Sequence, residues 1–374
     1  MKTHVEINSA NLLANLEWFA DRTKKPLIFV VKGNAYGHGL KEVVSIASTF
    51  PRLAYFAVDS AFEALQARVH AGEKPVLVVG WIPDEDLPAI LAAGIELIAP
   101  SVPYLKKVSA LARKHRLQAK VHLKVETGTS RLGIEAGKVP AALAGLNPET
   151  VQVKGIYSHF ANIEDTTDHS YAKCQLDLFN QLVAGINPGR FLKHFSCSAS
   201  ALLFPETYFD LVRVGISAYG FWPSKPTQVS FQEQNQGGPA RLRPVLSWYS
   251  RVAQVKELPK NSPVGYGLSY RTLKKTRLAV IPVGYYEGYD RRLSNNGWII
   301  VGGKRAPLRG RVCMNMLMAD ISHIPGVKPG DRVVLIGCRG DERITADELA
   351  EACQTIHYEL IARINPLIPR LVVP

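Results

Sequence analysis

Lys32 stands in Val-Val-Lys-Gly-Asn-Ala-Tyr-Gly-His-Gly (30–39), where an apolar run ends in one lysine and passes into a turn rich in tyrosine and glycine. An amine leaving the end of a buried strand is expected to be partly desolvated, which lowers its pKa and makes it a nucleophile toward a carbonyl, as a Schiff base requires. Gly33, Gly37 and Gly39 would let the turn approach a ligand closely. A lysine at such a place also suits a solvated strand end, so its chemistry has to be judged from the groups that share its site.

Those groups depend on the elements that carry them. The first two-thirds of the chain alternates short apolar runs with helix-like segments, the pattern of parallel strands joined by crossover helices. Eight runs can be read, at 26–31, 53–58, 75–80, 95–100, 119–125, 151–158, 193–196 and 209–214, the number a TIM-like (β/α)8 barrel needs. Stretches such as 61–70, 102–115 and 170–184 have the spacing of amphipathic helices between them. A doubly wound open sheet is the alternative, but no Gly-x-Gly-x-x-Gly follows the first strand and opens a helix. A stretch at 221–244 rich in Pro, Gln, Gly and Ser reads as a linker or long surface loop. After it, 246–258, 276–286, 298–301, 312–321 and 332–336 are β-rich, with one helix at 346–353 capped by Thr345. The expected organisation is a barrel over 9–238, followed by a mostly β C-terminal domain made of 239–374. The alternating segment 5–8 makes 1–8 a candidate to join that domain.

In a barrel the chemistry lies at the C-terminal ends of the strands. The first run ends at Lys32, the fifth carries Lys124 with Arg131 in the following loop, the sixth ends at His159, the seventh at Ser198, and the eighth at Arg213 before Gly215. Six or seven polar groups from distant parts of the chain would converge on one mouth. His159 taken alone also suits a satisfied core histidine beside Phe160.

Composition narrows the class. With 374 residues, 47% of them hydrophobic and 21% charged, the chain can bury a sizeable core in one large or two ordinary domains. The net charge of +13 is spread over scattered residues rather than a basic run interleaved with aromatics, so no nucleic-acid partner is expected. Five cysteines at 174, 197, 313, 338 and 353 form neither a Cys-x-x-Cys pair nor a regular framework; reduced thiols, a cytoplasmic setting and no metal are expected. The N-terminus has no apolar h-region and no stretch has the length of a membrane span, so no membrane partner is expected either.

Seven blocks in order give the chain a resemblance to the alanine racemase family of pyridoxal-phosphate enzymes. They are 30–39, Val-His-Leu-Lys-Val-Glu-Thr-Gly-Thr-Ser-Arg-Leu-Gly (121–133), Gly-Ile-Tyr-Ser-His-Phe-Ala (155–161), Val-Arg-Val-Gly-Ile (212–216), Val-Gly-Tyr-Gly (264–267), Gly-Tyr-Tyr-Glu-Gly-Tyr (284–289) and Val-Cys-Met-Asn (312–315). The resemblance covers nearly the whole chain. It implies a barrel and a β domain, an isomerase interconverting L- and D-alanine, and D-alanine supply for peptidoglycan. By it, Lys32 would hold the cofactor and act at Cα on one face of the substrate. Tyr266, brought by the partner subunit of a homodimer, would act on the other face, since inversion needs a base and an acid on opposite sides. Without that context Tyr266 reads as a turn aromatic.

A free phenol has a pKa near ~10, so Tyr266 needs help, and His159 and Arg213 resemble the family's relay. Arg213 would also face the pyridine nitrogen, where an arginine, unlike a carboxylate, leaves the ring nitrogen largely unprotonated. Ser198, Gly215, Ile216, Tyr36 and Tyr358 match the family's phosphate contacts. Arg131 and the amide of Met314 would hold the substrate carboxylate, Lys124 matches a lysine carbamylated in many members, and Tyr285 matches a tyrosine that narrows the entrance. Four positions depart from the commoner pattern: Gly33 for alanine, Val214 for proline, Cys197 for asparagine and Asn315 for aspartate. Rival readings are a racemase of serine or a basic amino acid, a decarboxylase on the same barrel with Cys313 as its second-domain acid, and a non-catalytic cofactor-binding protein. One methylene is worth only ~1–3 kcal/mol of discrimination, so specificity is not secured by motif.

Overall fold

The computed structural model describes residues 1–186, 189–235 and 242–374. The chain forms two compact units. One holds Ala10–Gly33 and Val43–Arg243; the other holds Met1–Ser9, Asn34–Glu42 and Pro244–Pro374.

The first unit is a nearly closed barrel. Among the described residues, eight parallel strands build its wall: Leu27–Val30, Leu53–Val58, Val76–Val78, Glu96–Ala99, Ala119–Glu126, Val151–Tyr157, Leu192–His194 and Val212–Val214. The last pairs with the first, Val214 opposite Phe29, so a residue with a backbone N–H stands where the family commonly has proline. Between Leu192–His194 and Val212–Val214 the ring is joined by the amides of Asp210 and Leu211, which donate to the Lys193 carbonyl at 3.0 and 3.3 Å. Outside the wall, helices form where apolar residues recur every three or four positions. In Val102–His115 the buried set is Tyr104, Leu105, Val108 and Ala112. Ser101 caps this helix by accepting from the Tyr104 amide, proline occupies its first turn, and Arg116 ends it in the left-handed region. Full burial of Leu105 and Val108 stabilises the packing by about 1.5–3 kcal/mol each.

The second unit is β-rich. Its larger sheet runs Lys304–Pro307, Trp298–Val301, Arg332–Arg339, Leu246–Arg251, Thr3–Asn8 and Arg370–Val373 in spatial order. Thr3–Asn8 pairs antiparallel with Leu246–Arg251 and parallel with Arg370–Val373, and its side chains alternate buried and half-buried. Gln254–Leu258, Thr276–Ile281 and Leu317–Asp320 make a second, antiparallel sheet.

The structure corrects the reading in several places, and of 276–286 only Thr276–Ile281 is a strand. The stretch 221–244 is not all loop, because Lys225–Gln234 is helical with Ser224 as its cap and proline in its first turn; composition hid a proper helix start. Of 312–321 only Leu317–Asp320 is a strand, since the Cys313 amide closes a turn onto the Met316 carbonyl. The boundary expected at 238/239 lies outside the described residues, and 34–42 belong to the β-rich unit.

Gly155 lies where the wall leaves no room for a side chain. A Cβ there would stand 2.9 Å from the Leu192 carbonyl oxygen and overlap the His122 ring. Gly155→Ala should therefore lower stability by about 1–3 kcal/mol, read as a fall in the denaturation midpoint, through forced displacement of His122.

Candidate active site

Lys32 does not sit inside the strand end. The first wall strand stops at Val30, and Lys32 opens a one-turn helix, Lys32–Tyr36. Gly33, Asn34, Ala35 and Tyr36 have φ of +63°, +53°, +54° and +53°, so the turn is left-handed. This conformation costs about 1–2 kcal/mol per L-residue. Gly33 escapes that cost, which gives its presence in place of alanine a backbone reason. Local bonds hold the rest: the Asn34 side-chain oxygen accepts from the Leu40 amide at 2.8 Å, and the Gly39 amide donates to the Asn34 carbonyl at 3.0 Å. The Lys32 side chain is 44% exposed with Nζ 3.9 Å from Asp59 Oδ1. The expected desolvation of this amine is thus corrected: the turn lifts it out of the strand end into an open position beside a carboxylate.

The floor of the barrel is polar. Arg213 is 5% exposed and donates through Nη1 to the His194 carbonyl at 3.1 Å, and through Nη2 to the Ser158 and Phe195 carbonyls at 2.7 and 2.9 Å. Nη1 also lies 2.7 Å from His194 Nδ1, and Nη2 lies 3.4 Å from His159 Nδ1. Beyond it, His194 Nε2 is 2.9 Å from His122 Nδ1, and His122 Nε2 is 2.9 Å from Glu96 Oε2. Burial lowers the Arg213 pKa to about 10, still above neutrality. Burial, with the Arg213 charge second, pushes His159 and His194 well below the usual imidazole range, so both are neutral. Tyr157 stacks on His194 at 4.7 Å, its ring centre 5.0 Å from the guanidinium, and its hydroxyl is buried without a partner.

Four cations share this mouth. Lys124 is held down to about 8, first by burial and then by Arg131, Arg213 and Lys32, with Glu126 opposing. Glu126 turns its carboxylate onto the Gly128 and Thr129 amides at 2.5 and 2.6 Å, which shapes the loop leading to the exposed Arg131. Nearby in the same unit, Ser198 Oγ accepts from the Gly215 and Ser217 amides at 3.0 and 3.4 Å, Ile216 is buried, and the buried Ser217 hydroxyl has no partner. Cys197 is buried, its thiol pushed up to about 12, and it caps the helix Ser198–Leu203, its amide donating to Ser200 Oγ while its sulfur accepts from Ser200.

The β-rich unit assembles the other candidates. Tyr36 and Tyr358 lie with ring centres 6.1 Å apart. Gly37 permits this, since a Cβ there would overlap the Ile361 carbonyl oxygen on the helix His357–Ala362. Tyr266, Tyr285 and Met314 line one open cleft of ≈ 1040 Å³ together with Arg291, Arg311 and Cys313. Tyr266 is 73% exposed in a short turn between Gly265 and Gly267, both at positive φ. The Tyr285 and Tyr286 amides donate to the Cys313 and Met314 carbonyls at 3.0 and 2.9 Å. Glu287 accepts from the Gly284 amide, Asn315 Nδ2 and Lys2 Nζ at 2.9, 2.9 and 2.8 Å, so Asn315 supplies a donor that an aspartate could not.

Sequence reasoning missed Glu96, His122, Tyr157, His194 and Ser217. His122 was within reach, because period-two alternation puts it on the same face of its strand as Lys124. Glu96 offered only the oddity of a carboxylate in second place in an apolar run. Among the described residues no group of three or more His, Cys, Asp or Glu could hold a metal ion, and no helix is long and apolar enough to cross a membrane.

Comparison with known proteins gives a consistent result. Residues 7–223 match the model of the alanine racemase N-terminal domain, and 245–372 that of the C-terminal domain. An alanine racemase of Leptospira interrogans is 38% identical over 99% of this chain and 95% of its own length. The structure of alanine racemase from Clostridium difficile 630 matches with a TM-score of 0.91 at 27% identity, covering 100% of this chain and 96% of that one. That of alanine racemase from Bartonella henselae with covalently bound pyridoxal phosphate matches with a TM-score of 0.86 at 26% identity over 100% of both chains.

The lowered pKa of Lys124 has a sign that can be tested. Above about pH 8 its amine is mostly neutral, whereas an ordinary lysine stays protonated to about 10.4. Competitive acetylation of the cofactor-free chain should reach half its maximal rate at this residue near pH 8, and Arg131→Gln should move that midpoint upward.

Proposed function

The chain belongs to the alanine racemase family, its reaction is the interconversion of L- and D-alanine, and on that premise we propose a two-base mechanism with pyridoxal phosphate held by Lys32. The observation that carries this is the barrel mouth. Lys32, Lys124, Arg131 and Arg213 lie in mutual electrostatic reach with few carboxylates. The Ser198 hydroxyl, held by the Gly215 and Ser217 amides, and the buried Ser217 hydroxyl, which has no partner, add neutral donors. A phosphate dianion and an amino-acid carboxylate are the ligands such a mouth fits. When bound, the cofactor supplies the electron sink that lets the Cα–H bond break.

The residues divide the remaining work. Ser198 with the amides of Gly215 and Ile216, and the hydroxyls of Tyr36 and Tyr358, hold the phosphate. Arg131 and the Met314 amide hold the substrate carboxylate, and Tyr285 narrows the entrance. Lys124, whose amine is partly neutral near pH 8, is the site of carbamylation, which turns a repulsion with Arg131 into an attraction. Lys32 moves the Cα proton on one face and Tyr266 on the other. His159, kept neutral with Nδ1 facing the Arg213 guanidinium, carries its proton on Nε2 and would donate it to the Tyr266 oxygen, favouring the phenolate, while Arg213 orients His159 and would present a fixed positive charge to the ring nitrogen. Tyr266 is exposed within its own chain, as suits a side chain that works in a partner subunit, so the enzyme acts as a homodimer. Its setting is cytoplasmic and its product is D-alanine for peptidoglycan.

Proton NMR in D2O with L-alanine, L-serine and L-lysine, combined with a chirality assay, tests this reading. Exchange of Cα–H with appearance of the D-form should be fastest for alanine, whereas exchange without inversion would exclude the two-base scheme. Tyr266→Phe should keep the visible absorption of bound cofactor and lose about 10²–10⁴-fold in turnover. Sedimentation showing a fully active monomer would exclude a site completed across subunits.

A further inference from the structure

Arg213 is a buried cation with no carboxylate among its direct hydrogen-bond partners. The nearest anion along its bonds is Glu96, 3% exposed, at the far end of two imidazoles that are fully buried. These four residues come from the eighth, fourth, fifth and seventh wall strands, so the chain of bonds crosses the barrel interior. The mechanism above uses Arg213 and leaves Glu96, His122 and His194 without a task.

We infer that Glu96 is the positioning residue and counter-charge for Arg213, acting through His122 and His194 in one fixed proton arrangement. The arrangement follows from donor and acceptor chemistry. A guanidinium can only donate, so His194 Nδ1, 2.7 Å away, carries no proton and accepts. The His194 proton is then on Nε2 and is donated to His122 Nδ1, which must also be bare. The His122 proton is on Nε2 and is donated to Glu96 Oε2, where a carboxylate completes the run. Burial first, and this carboxylate second, push the Tyr55 phenol up. Each bond points from cation to anion, and the two buried charges balance. Reversing either imidazole would set N–H against N–H or lone pair against lone pair. Gly155 leaves the space that His122 occupies, and the Tyr157 ring stacks on His194, so both rings are held in plane as well as in protonation. The consequence for the reaction rests on the reading that Arg213 faces the cofactor ring: Glu96 fixes where the guanidinium stands without touching substrate or cofactor.

The test uses the full chain labelled with ¹⁵N-histidine, with and without pyridoxal phosphate, in long-range ¹H–¹⁵N spectra between pH 6 and 9. His122 and His194 should both show protonated Nε2 and bare Nδ1, unchanged across that range and in both states. In Glu96→Gln, whose amide can donate as well as accept, a second His122 tautomer should appear. In that variant kcat for alanine should fall on the order of tenfold, the scale on which partners behind an active-site imidazole act, with KM within about twofold. A bare Nε2 or a doubly protonated ring on either histidine of the parent would overturn the inference, as would a Glu96→Gln variant with unchanged tautomers and unchanged kcat. The parent spectrum decides alone where the variant does not fold. A parent with the expected tautomers that fails to racemise alanine would instead overturn the proposed function and leave the proton arrangement standing.

Discussion

A guanidinium that is 5% exposed must find acceptors for nearly every N–H inside the protein, because leaving one dry costs more than the bond returns. Much of the barrel floor follows from that requirement. The Ser158, His194 and Phe195 carbonyls point inward at the ends of the sixth and seventh wall strands. His194 faces Arg213 with a lone pair, His122 faces His194, and Glu96 closes the sequence. Barrel interiors are normally filled by branched aliphatic side chains, and the apolar cluster of Ile28, Ala57, Leu77, Ile98 and Leu211 does so here. The polar run is threaded through that packing, so its members have little freedom to reorient. A positive charge of fixed position is the result, and it faces the place where a cofactor ring nitrogen would lie under the proposed mechanism.

The turn after the first strand works by a different kind of constraint. Consecutive left-handed residues are unfavourable for L-amino acids, yet Asn34, Ala35 and Tyr36 adopt this conformation. What the turn gains is direction. It gives Lys32 an open position and sends Tyr36 to Tyr358, with Gly37 closely applied to the Ile361 carbonyl. Two nearly adjacent residues are thereby assigned to separate compact units, since the division falls between Gly33 and Asn34.

The sequence was legible where one residue type does one job. Apolar runs bounded by turns marked all eight wall strands, and polar residues at or near the ends of five of them were the candidates for the mouth. Thr345 announced its helix through its side chain, as the structure bears out. The Lys32 environment was misread because a strand end was assumed to be buried, whereas backbone handedness after the strand decides exposure. Glu96 and His194 were not legible, since their meaning lies in partners 26 and 72 residues apart along the chain linked through His122. The helix Lys225–Gln234 was lost because Ser-Lys-Pro reads equally as a loop and as a helix start. Asn315 was seen only as a departure. Its donation to Glu287 became visible once the Gly284–Tyr286 turn and the 313–315 segment were brought side by side.

The placement of Thr3–Asn8 carries a consequence for biosynthesis. This strand precedes the barrel unit in the chain, yet it pairs with Leu246–Arg251 on one side and Arg370–Val373 on the other. The barrel unit, ending at Arg243, can assemble while the chain is still being translated. The β-rich sheet cannot be completed in that time, because Thr3–Asn8 must wait for Leu246–Arg251 and then for Arg370–Val373, both of which follow the barrel in the chain. Until Leu246–Arg251 has been made, Val5 and Ile7, fully buried in the finished sheet, remain in an unpaired strand with two open edges, and one edge stays open until Arg370–Val373 follows. Nascent chains stalled before residue 246 are thus the species most exposed to aggregation and to chaperone capture, and a bulky insertion beside Thr3–Asn8 would trouble folding more than one at a surface loop.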